Sequence, residues 1–272
     1  MASITPAPNF SELLKHLSPE SENSWSINIT ENWMQGRTTY GGLSSALCLK
    51  AVLNNYTNLP PLRSAQINFT GPVGGLVTIN TKSIRQGKSV SFIQAELIGE
   101  KGLAIHAVFC FGVKRSSKLN QHFTNPPEQP SFTDCETFLN PDLSPAFAHN
   151  YESKLAKGAR PISGSTQHEH FVWARHKDKQ ATDICALVGI ADMTPPATLA
   201  MFSKPAPISS MTWMINFLSD NSAQSLTTEQ GWWLLRSCAE HAKDGYSSQD
   251  MQVWNSEGEL VITGRQNVAV FY

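Results

Sequence analysis

An apolar, helix-like stretch followed by a run of strand-like segments occurs twice in this chain of 272 residues, and no other feature restricts the fold as much. In the first half the helix-like stretch is Leu43–Leu53, and the strand after it carries Ile67-Asn68-Phe69. In the second half it is Asp183–Ala191, and the matching strand carries Ile215-Asn216-Phe217. Lys101-Gly102 and Glu257-Gly258 mark corresponding hairpins. Such a repeat means two copies of one small α+β unit. A sheet wrapped around one helix leaves an edge strand unpaired, and an unpaired edge invites association. Two units joined side by side make one continuous antiparallel sheet with two buried helices, and that is the expected architecture.

The elements follow from local pattern. Phe10–Leu17 reads as a short amphipathic helix and Trp25–Trp33 as a strand. Leu43–Leu53 is apolar almost all round, which marks a buried helix rather than a surface one. Strands are expected at Ser64–Thr70, Leu76–Arg85, Ser89–Gly99 and Leu103–Val113, separated by Gly-rich turns. The segment 116–166 holds six of the sixteen prolines and little periodicity. It reads as a linker with one helical turn near Phe147–Leu155. In the second half, strands are expected at Phe171–Arg175, Ser210–Leu218, Trp232–His241, Tyr246–Asn255 and Leu260–Tyr272. The resulting division is an N-terminal unit over 1–115, a Pro-rich linker over 116–164 and a C-terminal unit over 165–272.

Charge and cysteine usage remove several function classes. Lys plus Arg number 21 against 22 Asp plus Glu, so no bulk field favours nucleic acid or an anionic membrane. Cys48, Cys110, Cys135, Cys185 and Cys238 are odd in number and contain no CxxC pair. They suit neither a disulfide framework nor a zinc site and fit a reducing compartment. The N-terminus has no basic start and no apolar core, and no apolar run approaches the ~20 residues of a membrane span. A soluble, cytoplasmic protein is expected.

The chain has no GxSxG, GxxxxGK[ST] or GxGxxG motif. His168-Glu169-His170 resembles a metal pair, but no further His or Cys stands near it, and a solvated strand edge is the ordinary reading. Trp232-Trp233-Leu234 suits stacking or, more simply, sheet packing. The informative residues are polar groups at the ends of apolar elements. Asp192 follows the second helix and precedes Met193-Thr194-Pro195-Pro196; it is either a solvated helix stop or a carboxylate held in place. Gln266 interrupts the last apolar strand. Ser210 and Thr212 share one face of their strand, by simple alternation, with Trp213, Ile215 and Phe217 on the other. Each could be a satisfied buried polar residue. Together, a carboxylate, a hydroxyl and an amide can also hold one water, the carboxylate taking its proton.

Four stretches taken in order carry a resemblance. They are Arg37-Thr-Thr-Tyr-Gly-Gly-Leu before an apolar helix, Leu62–Val73, Arg85-Gln-Gly-Lys-Ser89, and Val253-Trp-Asn-Ser-Glu-Gly258 with Gly264-Arg-Gln266. Over nearly the whole chain except the linker, the sequence resembles the double-hotdog acyl-CoA thioesterases of the type II superfamily. The resemblance implies two hotdog units, each a sheet wrapped around a helix, and hydrolysis of acyl-CoA thioesters with no metal and no cofactor. Asp192, Gln266 and Ser210, with Thr212 as second choice, then fall at the family's Asp, Gln and Ser/Thr positions. Tyr40, Gly41 and Gly42 would bring a backbone N–H to the oxyanion, because glycine permits close approach. Arg63, Arg85 and Lys88 lie at strand ends and turns, as phosphate contacts for CoA or as ordinary solvated charges. Trp213, Trp232, Trp233 and Trp254 offer apolar area beyond what one helix buries, which points to a homodimer or a dimer of dimers. The other function class is a non-catalytic hotdog protein that binds acyl groups or assembles. A hotdog hydratase would need a His–Asp pair, and none is evident.

Overall fold

The computed structural model describes residues 7–272. Thirteen strands form one antiparallel sheet whose order repeats the sequence pattern. From one edge, the first unit contributes 18–21, 24–29, 75–86, 90–99, 102–112 and 62–69. The second continues with 208–217, 260–270, 246–254, 233–243, 169–176, 151–157 and 136–137. Each unit thus presents its own first post-helix strand to the other. At that seam Ile67 pairs with Trp213, Gln66 with Met214 and Ala65 with Ile215. The repeat carries Ile67 to Ile215, and the same offset carries Gln66 to Met214. The pseudo-twofold axis therefore passes through the Gln66–Met214 pair. The outer edge strands are only four and two residues long, which blunts the edges left after the units join.

Among the described residues three α-helices accompany the sheet: α1 over Phe10–Lys15, α2 over Gly41–Asn55 and α3 over Ile184–Ala191. Helix α2 is the buried helix expected from its apolar circumference, and its Leu43, Leu47 and Leu49 have no exposed surface. Burying side chains of this size stabilises by roughly 1.5–3 kcal/mol each. Its two internal serines bond back to the helix, Ser44 Oγ to Tyr40 O at 3.1 Å and Ser45 Oγ to Gly41 O at 2.8 Å, so the buried hydroxyls are satisfied. Helix α3 starts where the Asp183 carboxylate accepts from the Ala186 N–H at 2.9 Å. It ends at Asp192, just before the Pro195-Pro196 turn. Among the described residues no helix is long and apolar enough to cross a membrane.

Two expectations need correction. The stretch read as one helical turn in a linker, near Phe147–Leu155, is a 3-10 turn over Ala146–Asn150 followed by a strand, Tyr151–Lys157. That strand pairs with Glu169–His176 and extends the second unit's sheet, so structure begins well before residue 165. Its side chains alternate only weakly between apolar and polar, and the prolines around it mask the pattern. The second correction concerns the tryptophans. Trp213, Trp232, Trp233 and Trp254 are at most 6% exposed within the single chain. Trp232 and Trp254 join Phe171 and Trp173 in a cluster on the outer face of the second unit, and the Pro-rich segment folds back over it. Phe132 stacks on Trp232 at 5.3 Å, and the Trp173 indole N–H donates to Pro130 O at 2.9 Å. The tryptophan argument for a dimer therefore has no remaining basis.

Candidate active site

The second unit's helix ends where the first unit's helix begins. Asp192, at the C-terminus of α3, faces the N-terminus of α2. Gly41 is what allows this approach: a Cβ there would stand 2.8 Å from Asp192 Oδ2 and 3.2 Å from the Phe69 ring. A Cβ on Gly42 would stand 2.5 Å from both Gly189 O and the Tyr40 hydroxyl. Both distances are shorter than real Cβ contacts, so the glycine pair is a steric requirement of the junction. Tyr40 supplies no side-chain cap, which leaves the first N–H groups of α2 without one. At the other helix, Asp183 fills the cap itself. The two pseudo-equivalent helix N-termini thus differ: α3 is capped by its own Asp183, whereas α2 meets the Asp192 carboxylate of the other unit.

Asp192 Oδ1 accepts from Gln266 Nε2 at 2.8 Å. The Gly42 amide also lies against the carboxylate and favours its charged form. Burial outweighs both donors and pushes the carboxyl up to about 7. Asp192 still keeps part of its surface open to solvent, whereas Gln266 is 4% exposed. A deeply surrounded but reachable carboxyl that titrates near neutrality can exchange protons with a water at the helix N-terminus.

The expected hydroxyls separate. A bulge at Met211 breaks the alternation: Ser210 stands opposite Val268, whereas Thr212 stands opposite Asn267. Val268 is fully buried and two residues from Gln266, so Ser210 shares the inward face of Gln266. Thr212 is on the exposed face, beside Asn68 and Asn267 in a surface cleft. The two residues therefore do not share a face, contrary to simple alternation. Ser210 makes no hydrogen bond to Asp192 or Gln266 among the described residues.

Tyr40 is at the junction but not in reach of a ligand. It is 1% exposed, stacks on Phe147 at 4.0 Å and donates its hydroxyl to Gly189 O at 2.5 Å. Arg63, Arg85 and Lys88 are not brought to the site. Arg63 and Phe69 lie near opposite ends of the strand Leu62–Phe69, so about 20 Å separates them, and Phe69 is the residue against Gly41. Arg63 is occupied, donating to Gly112 O and Ser219 O. Arg85 and Lys88 belong to the hairpin at that same far end of the sheet. In His168-Glu169-His170 the side chains diverge. A His168 ring nitrogen contacts Ala239 O, Glu169 pairs with Arg236, and His170 is buried rather than solvated, against Phe138.

Sequence reasoning missed Gln249. It is fully buried and pairs directly across the sheet with Gln266, to whose Oε1 it donates at 2.9 Å. The signal was present: Met251 and Val253 set the inward phase of that strand, and the same phase puts an amide at 249 into the core.

A shared antiparallel sheet with two helices meeting head to tail defines a double-hotdog protein. Family models bear this out. The acyl-CoA thioesterase N-terminal domain matches residues 29–112 and the acyl-CoA thioesterase C-terminal domain matches 123–270. The chain belongs to the double-hotdog acyl-CoA thioesterase family. No curated protein sequence matches it. Among solved structures, it is similar to a conserved hot-dog-fold protein of unknown function from Alicyclobacillus acidocaldarius. That pair has a TM-score of 0.86 and 21% identity over 97% of this chain and 98% of the other. It is also similar to the acyl-CoA thioesterase II TesB2 of Mycobacterium marinum, with a TM-score of 0.75 and 16% identity over 97% and 98%. The dehydratase domain of RzxB from Pseudomonas fluorescens shares the fold at a TM-score of 0.58 and 8% identity over 96% and 99%. At these identities the likeness is one of fold, and the chemistry must be argued from the site.

Proposed function

We propose that the protein hydrolyses acyl-CoA or related acyl thioesters with a water activated by Asp192. The observation that carries this reading is the Asp192 carboxylate, oriented by Gln266 and set against the N-terminus of α2. Asp192 takes a proton from the water, and the hydroxide attacks the thioester carbonyl carbon. Uncapped amides of α2 and the positive end of its dipole stabilise the oxyanion. The C–S bond breaks, and the proton on Asp192 passes to the departing sulfur, leaving a carboxylic acid and a thiol. Ser210, on the inward face next to Gln266, helps to direct the water. The nearest alternative in the same fold, dehydration, calls for a His beside the acid. No His among the described residues hydrogen-bonds to Asp192. The buried His176 contacts Ala186 O instead, and burial pushes it down to about 4. Release of free thiol from a panel of acyl-CoAs, followed with Ellman's reagent, tests the proposal. Turnover of at least one acyl-CoA is expected; binding without release would replace catalysis with acyl binding.

A further inference from the structure

We infer that Gln249 is a positioning residue that fixes which end of the Gln266 amide faces Asp192, and so holds Asp192 as a hydrogen-bond acceptor. The inference rests on the proposed role of Asp192 as the base. It follows from the direction of a chain of hydrogen bonds. The Ala197 N–H donates to Gln249 Oε1 at 3.0 Å, Gln249 Nε2 donates to Gln266 Oε1 at 2.9 Å, and Gln266 Nε2 donates to Asp192 Oδ1 at 2.8 Å. Side-chain amides can be turned end for end, so each link alone could run either way. A backbone N–H cannot be turned. It can only donate, so the Gln249 oxygen must face it, the Gln249 nitrogen must face Gln266, and the Gln266 nitrogen must face Asp192. Had the series begun at a backbone carbonyl, every amide would reverse. Gln266 would then offer an oxygen to Asp192, and only a protonated Asp192 could bond to it.

The fold supplies the anchor through the turn after α3. Pro195 and Pro196 stop the helix, and Pro196 opens a 3-10 turn whose first residue is Ala197. Asp192 and the N–H that orients its partner thus stand five residues apart on one rigid segment. Both glutamines are almost wholly buried, at 0% and 4% exposure, so neither amide can exchange its partners for water without loss. The titratable groups that act on Asp192 from other elements are Tyr40, in the turn before α2, and Tyr151, on the strand Tyr151–Lys157. Burial raises both phenols, so they stay neutral where Asp192 titrates. The amide series is therefore what a single buried substitution can reverse.

Gln249→Glu makes that reversal. A carboxylate at 249 accepts from Ala197 and also from Gln266, which turns the Gln266 oxygen toward Asp192. The measurement is the titration midpoint of Asp192 by carboxyl carbon NMR, assigned against Asp192→Asn, beside the pH dependence of kcat. The new charge also acts directly, so the same substitution is made in a Gln266→Leu background, where no amide can relay. We expect the midpoint and the acid limb of kcat to move up by at least one pH unit where Gln266 is intact, and by clearly less in the Gln266→Leu background. Equal shifts in both backgrounds, or no shift, would overturn the inference. Should the glutamate variants not fold, Gln249→Met frees the Gln266 amide to turn, and an Asp192 midpoint identical to wild type would overturn it just as well. The NMR midpoint decides the role of Gln249 even if no acyl-CoA is hydrolysed. In that case it is the proposed function that fails, not the relay.

Discussion

The Tyr40 hydroxyl donates to the carbonyl oxygen of Gly189 at 2.5 Å, tying the turn before α2 to the last turn of the helix that ends at Asp192. This one bond joins the two units at the point where the candidate base meets the helix N-terminus. Tyr40→Phe keeps the ring on Phe147 and removes the donor, leaving a buried carbonyl unsatisfied at a cost of about 1–3 kcal/mol. We expect a lower melting temperature, and a fall in kcat larger than any rise in KM, because the bond positions the base rather than the substrate. Calorimetry and steady-state kinetics on the same preparation check both.

The two glycines of the junction make opposite errors possible. Gly41→Ala places a methyl against the Asp192 carboxylate and the edge of Phe69, groups that can yield by rotation. Gly42→Ala places it against backbone at Gly189 and the anchored Tyr40 hydroxyl, which cannot. The expected outcome is a folded Gly41→Ala with most of its activity gone, and a Gly42→Ala whose melting temperature falls well below it. Thermal melts and activity at a temperature where both are folded separate the two effects.

The internal repeat made the joined sheet legible, since the pairing of its two Ile-Asn-Phe strands follows from an edge that must be covered. The positions of Asp192 and Gln266 were legible for a related reason: one is a carboxylate just past a buried apolar helix, and the other interrupts an apolar strand. Other features depend on information that no single strand contains. The bulge at Met211 is a property of the register against 260–270, so alternation alone put Ser210 and Thr212 together. The distance of Lys88 from Asp192 was not legible for a similar reason: a hairpin is visible in sequence, but not the end of the sheet toward which the helix N-terminus points. The tryptophans were read as surplus because the Pro-rich segment that covers their outer-face cluster has no periodicity of its own.

The bulge yields a direct comparison. Ser210→Ala should lower kcat, by less than loss of the base, since water can partly replace an orienting hydroxyl. Thr212→Ala, on the opposite face, should leave kcat within about twofold of wild type, as surface changes away from special features cost within about 0.5 kcal/mol. A Thr212→Ala variant more impaired than Ser210→Ala would mean that the strand register differs from the one described.

Stability should depend on pH through Asp192. Its carboxyl is about 7 in the folded chain and ordinary when unfolded, so between roughly pH 4 and 7 the native state holds a proton that the unfolded state does not. Stability contributed this way is present below pH 4 and is lost as pH rises through 7. His170 and His176, both pushed down to about 4 by burial, act in the opposite sense between pH 4 and 6.5. The Asp192→Asn variant isolates the carboxyl. Its stability relative to wild type should climb across that window, by a few kcal/mol at ~1.4 kcal/mol per unit, and level off above pH 7. Urea denaturation at a series of pH values measures it, and a pH-independent difference would mean that the carboxyl titrates normally.

Asp192→Asn is also the most direct test of the catalytic claim, because it preserves the shape of the side chain and removes the base. With an acyl-CoA that the wild type turns over, thiol release should fall by roughly 10²–10⁴ in kcat, the usual effect of losing a general base, with circular dichroism unchanged. A folded Asp192→Asn protein that releases thiol at the wild-type rate would contradict the account.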